Sequence, residues 1–113
     1  IVIDFDGTIT DDVFPDMGNP KEGVIEALQR LNEAGFEIII HSCRTGSYFK
    51  DMLNEDQFKR IEDFMQYYDM PFDRIWTPDK PIASAYVDDK AIRYQNNWKD
   101  IADRLINARE NKK

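Results

Sequence analysis

The stretch Ile1-Val2-Ile3-Asp4-Phe5-Asp6-Gly7-Thr8 opens the chain, and its reading decides the fold. Three consecutive apolar residues predict a short strand, and an unbroken apolar run suits a strand covered on both faces, as in parallel sheets. Asp4-Phe5-Asp6-Gly7 then reads as the turn that leaves it. Further along, Asn19-Pro20-Lys21-Glu22 has the form of a helix start: a cap, Pro at the first position and Glu three residues after the cap. Val24, Ile25, Leu28 and Leu31 follow at helical spacing, and Gly35 ends that helix. Phe36 to Ile40 is a second apolar strand ending at His41-Ser42. Asn54 is expected to cap a second helix with Phe58, Ile61, Met65 and Tyr68 on its inner face, stopped by Pro71. Phe72 to Trp76 reads as a third strand and Ala85-Tyr86-Val87 as a fourth, running into Asp88-Asp89. A last helix starts near Asn97 and buries Trp98, Ile101 and Leu105, with a polar, frayed tail from Arg109 to Lys113.

Alternating strands and helices predict an α/β protein: a three-layer α/β/α, Rossmann-like domain with a mostly parallel sheet of about four strands. With 113 residues and no linker or repeat, residues 1–113 are expected to form a single domain. The composition is 42% hydrophobic and 33% charged, which fits a globular chain and excludes disordered or fibrous classes. A net charge of −7 argues against general nucleic-acid binding, which draws its affinity from Lys and Arg on phosphates. It leaves a small phosphorylated substrate open, because a bound divalent cation inverts the local field. One Cys fits a reducing compartment. No segment approaches the roughly 20 apolar residues of a membrane span, and none reads as a signal peptide, so a cytoplasmic setting without membrane contact is expected. The chain begins at Ile1 without Met, which leaves room for residues upstream. Oligomeric state stays open, a homo-oligomer included.

In parallel sheets, ligands bind at the carboxyl ends of the strands. Strand one ends at Asp4 and Asp6, strand two at Ser42 and strand four at Asp88-Asp89, with Lys80 shortly beyond strand three. Converging carboxylates repel one another in a partly buried site. A hard cation with oxygen ligands resolves this, and Mg2+ is preferred because it commonly binds a few carboxylates together with substrate phosphate. Phosphate-ester hydrolysis needs a nucleophile, a proton donor for the leaving alkoxide and positive charge on the equatorial oxygens. A carboxylate can be that nucleophile.

Asp4-Phe5-Asp6-Gly7-Thr8-Ile9-Thr10 resembles the first motif of the haloacid dehalogenase (HAD) superfamily of phosphohydrolases. Ile38-Ile39-Ile40-His41-Ser42 is similar to the second, Lys80-Pro81 to the third and Tyr86-Val87-Asp88-Asp89 to the fourth, in the family's order. The resemblance implies a HAD-like fold and a Mg2+-dependent phosphomonoesterase working through an aspartyl-phosphate. On it, Asp4 attacks phosphorus and ligates the metal. Asp6 protonates the leaving group, later activates water and ligates the metal through its backbone carbonyl. Ser42 hydrogen-bonds a phosphoryl oxygen and Lys80 neutralises charge, while Asp88 binds Mg2+ with Asp89 close by or acting through water. Gly7 and Thr8 shape the turn that places Asp6. The seven residues 81–87 are too few for a crossover helix, so either that crossover is a turn or Arg44 and Lys90 supply the positive charge on phosphate.

Thr10 to Pro20 has room for only a short flap, so the chain resembles cap-less members of the family. Selection of a sugar phosphate, a nucleotide or a phosphorylated chain end then falls to the flap around Phe14-Pro15, to Arg44–Phe49, to a neighbouring subunit or to a macromolecular substrate itself. His41 fits either strand-end packing or a substrate contact. Cys43 with Arg44 superficially suggests a cysteine phosphatase loop, but that chemistry needs an Arg at position 49, where this chain has Phe. A receiver domain also clusters Asp, Ser or Thr, Lys and magnesium, yet its acidic pair lies early and its phosphoacceptor in mid-chain. A catalytically silent HAD fold would not need the proton shuttle Asp6. Phe58, Phe64, Tyr67, Tyr68 and Trp98 fit core faces or a subunit contact, and Asp11-Asp12 a solvated loop.

Overall fold

The computed structural model describes residues 1–13, 16–45, 56–76 and 91–110. Among them, strands β1 (Val2–Asp4), β2 (Ile39–His41) and β3 (Arg74–Ile75) form one parallel sheet in that order. Helices α1 (Val24–Glu33), α2 (Gln57–Tyr67) and α3 (Trp98–Glu110) complete the described elements, with a 3-10 turn at Cys43–Thr45. The chain is an α/β protein, as its alternating pattern predicts. The expected fourth strand, Ala85–Val87, lies outside the described residues.

Residues opposite one another in a parallel pair share a sheet face, and Ile3 stands opposite Ile40 as Val2 does opposite Ile39. All three helices feed one hydrophobic cluster that contains Ile3, Ile38 and Ile40 but neither Val2 nor Ile39. The expectation of a strand covered on both faces therefore fails at Val2, which is 62% exposed. Phe5, fully buried, meets the Phe64 ring of α2 edge-on at 5.4 Å and ties the end of β1 to that helix.

Helix α1 starts later than its sequence predicts. Asp11 N donates to Asn19 O (2.9 Å) and Lys21 N to Ile9 O (2.8 Å), which holds Asn19-Pro20-Lys21 extended against residues 9–11. A turn follows, and the helix begins at Val24 behind Gly23 at φ 79°, with no side-chain cap. Its other end is as expected: Gly35 adopts φ 89°, Phe36 N reaches Leu31 O and Gly35 N reaches Asn32 O, a Schellman closure. Across the molecule, Arg30 of α1 pairs with Asp103 of α3 at 2.7 Å.

Helix α2 is capped by Asp56, whose carboxylate accepts from Lys59 N, rather than by Asn54, which lies outside the described residues. Its buried stripe is Gln57, Ile61, Phe64 and Met65. Phe58 sits one residue, about 100°, off that stripe and is exposed. The helix ends at Asp69 in the left-handed region (φ 58°), with Met70 N on Met65 O, before Pro71 is reached. In α3, Trp98, Ile101 and Ala102 are buried and Leu105 is partly so. Arg109 is not frayed: it stacks over Phe36 at 4.5 Å and donates to Ala34 O.

Candidate active site

Because β1 and β2 run parallel, their carboxyl ends fall side by side. Asp4 stands opposite His41, and Phe5 N donates to His41 O at 3.0 Å. Asp4 is exposed there. The chain then turns sharply. Gly7, at φ 80°, supplies a conformation that a side chain would strain, and its N–H closes on Thr10 O. The amides of Thr8, Ile9 and Thr10 all converge on Phe5 O. The indole Nε1 of Trp98 donates to Thr8 O at 2.8 Å, so the first residue of α3 pins this loop. Trp98 thus does more than the core packing expected of it.

The loop delivers Asp6 beside Ser42, as expected, with Ser42 Oγ donating to Asp6 Oδ2 at 3.1 Å. Ser42 Oγ also accepts from Arg44 N at 3.2 Å, an ST-turn that starts the 3-10 turn. That turn carries the Arg44 guanidinium onto Asp6 side-on. Nη2 lies 2.6 Å from Oδ1 and Nε 3.0 Å from Oδ2. Such a fork-on-carboxylate pair fixes direction as well as distance. Arg44 is 1% exposed. Its Nη1 donates to Gln57 Oε1 (3.0 Å), its Nη2 also reaches Asp16 O (3.1 Å), and its Cζ lies 5.9 Å from the Phe5 ring centroid. Arg44, expected with Lys90 to supply positive charge to phosphate should Lys80 not do so, has its buried guanidinium turned on the Asp6 carboxylate. Breaking a buried pair from one side typically costs about 3–5 kcal/mol.

Asp4, Asp6, Ser42 and Arg44 are therefore gathered at one carboxyl edge. Lys80, Asp88 and Asp89, and with them Lys90, lie outside the described residues. Among the described residues no group of three or more His, Cys, Asp or Glu could hold a metal ion. His41 is half-buried at the end of β2, and its Nε2 has no hydrogen-bond partner among the described residues. Sequence reasoning did not find the Arg44–Asp6 pair or its Gln57 support. The only available signal was an Arg two residues after a strand-end Ser.

No protein-family model matches this chain, and no curated protein matches it. One crystal structure, of an MCSG target from Vibrio cholerae, is similar over 96% of this chain and 97% of its own, with 24% identity and a TM-score of 0.68. At that identity the likeness speaks to the fold alone. No helix among the described residues is long and apolar enough to cross a membrane.

Proposed function

We propose that this chain is a magnesium-dependent phosphomonoesterase of the haloacid dehalogenase type, working through an aspartyl-phosphate on a small phosphorylated substrate. What carries the reading is the meeting of Asp4, Asp6 and Ser42 where two adjacent parallel strands end, with Asp6 held on the turn that Gly7 closes. The fuller fold that goes with it is Rossmann-like and cap-less, with a fourth strand through Ala85–Val87 bringing Asp88 and Asp89 to the same edge.

The donors present fit a hard cation. Asp4 brings an exposed carboxylate to the strand end, and both Asp6 carboxylate oxygens accept from Arg44 and Ser42. Asp6 would thus ligate through its backbone carbonyl, with Asp4, Asp88 and Asp89 as the other protein ligands. Mg2+ bound there would neutralise the charge of phosphate and nucleophile.

The chain's own residues perform two displacements. An Asp4 carboxylate oxygen attacks phosphorus in line; its O–P bond forms as the ester P–O bond breaks, and the leaving alkoxide takes the proton held by Asp6. Water then attacks the same phosphorus and gives its proton to Asp6. The Asp4 O–P bond breaks, returning Asp4 as a carboxylate and Asp6 protonated. Ser42 turns its hydroxyl hydrogen to a phosphoryl oxygen, and Lys80 is the cation proposed for the remaining charge.

The test is phosphate release from a panel of monoesters with and without Mg2+, comparing wild type with Asp4→Asn. Turnover by the wild type that stops with EDTA, and drops by at least about 1000-fold in Asp4→Asn, is expected. Inert wild type, or a fully active Asp4→Asn, would sink the mechanism.

A further inference from the structure

Three elements converge on the Arg44 guanidinium for one visible purpose. Gln57, the first residue of α2, accepts from Nη1; the Asp16 carbonyl accepts from Nη2; and the Phe5 ring lies beneath, at 5.9 Å. The Nε and Nη2 edge of the fork is turned on Asp6. A cation this buried and this braced does not follow its carboxylate; the carboxylate follows it. We infer that Arg44 is the positioning residue for the proton-transferring carboxyl group of Asp6, and that Oδ2 is the oxygen that carries the proton. This rests on the phosphomonoesterase reading above.

The two Asp6 oxygens are held differently. Oδ1 accepts one short bond, 2.6 Å from Nη2, and is the anchor. Oδ2 accepts two longer ones, 3.0 Å from Nε and 3.1 Å from Ser42 Oγ. When Ser42 turns its hydrogen to a phosphoryl oxygen, Oδ2 loses a donor while Oδ1 keeps its own. The proton that Asp6 carries into the first displacement then sits on Oδ2, passes to the leaving oxygen as the ester bond breaks, and is replaced by one from water in the second displacement. Arg44 transfers nothing and sets the direction in which that proton points.

Proton delivery matters in proportion to the basicity of the leaving group, and this separates positioning from both phosphate gripping and simple structural support. The experiment measures kcat/KM with saturating Mg2+ on β-glycerophosphate, an alkyl ester with a poor leaving group, and on p-nitrophenyl phosphate, whose leaving group departs without a proton. Proteins are wild type, Arg44→Met, Arg44→Lys and Gln57→Leu, each checked for a cooperative melt. kcat/KM reports the first displacement only, so the shared second step does not mask the difference.

General acid catalysis contributes about 100- to 10,000-fold. Arg44→Met is expected to lose about 100-fold or more on the alkyl ester and less than about 10-fold on the aryl ester. Arg44→Lys, a point charge without the fork, regains part of the loss. Gln57→Leu, which loosens the brace without leaving a charge unpaired, shifts the alkyl-to-aryl ratio the same way by about 3- to 10-fold. If Arg44→Met does not fold, the ratio in Arg44→Lys and Gln57→Leu decides. An equal fall on both esters in folded variants overturns the inference and leaves the phosphatase reading standing; a wild type inert on both esters overturns both.

Discussion

At Gly18 the backbone comes so close to Asp11 that a Cβ would sit 2.5 Å from its carbonyl oxygen and 2.9 Å from its own Cβ. The nearest atom is main chain and cannot swing aside. Gly18→Ala should therefore lose about 1–3 kcal/mol, the usual scale of overpacking, read as a lower urea midpoint; a midpoint equal to wild type would show that Asp11 and Gly18 move apart freely. This close approach was not legible in the sequence, where Gly18 looks like any loop glycine. Asp4, Asp6 and Ser42 were legible, because a strand's end and the direction of a parallel sheet fix where such residues go. Arg44 was legible as a charge near the site but not as the partner of Asp6. Its partner depends on the Ser42-led turn that aims the guanidinium and on Gln57 arriving from another element.

Among the elements, the ends were read less well than the bodies. The Asn19-Pro20-Lys21-Glu22 signal is a sound helix start in isolation, and it lost to two backbone hydrogen bonds with residues 9 and 11. Gly35 kept its expected place because a left-handed closure is demanded locally, whatever packs nearby. Phe58 is expected on the inner face of α2 with Ile61, Met65 and Tyr68, while the buried stripe gives the inner position to Gln57, whose side chain accepts from Arg44. Helix α3 makes its link to the site loop through Trp98. Trp98→Phe keeps an aromatic ring but removes both the donor to Thr8 O and part of a buried side chain, so a loss of about 1–3 kcal/mol is expected, with faster amide exchange at Thr8–Thr10. Unchanged exchange in that loop would show that the indole N–H does not hold it.

Over the whole molecule, α1 and α3 are joined by charge as well as by packing. Asp103 of α3 accepts from Arg30 and from Lys99, and these two hydrogen bonds, Arg30's first, hold its carboxyl below the ordinary carboxylate range. A lowered folded-state value stabilises the protein above that range, and the contribution is lost as pH falls through the folded value. The melting difference between wild type and Asp103→Asn should be full near pH 7 and close below about pH 4; a gap that persists in acid would place the effect elsewhere. The pair is half-exposed, so the difference is small. The Trp98–Thr8 bond also has a consequence in time. It spans 90 positions, from the loop after β1 to the first residue of α3. At roughly 5–20 residues per second of synthesis, the loop waits about 5–18 s for its pin. A nascent chain therefore carries this strand and its acidic turn long before it can fix them, and the loop is made well ahead of the residue that holds it.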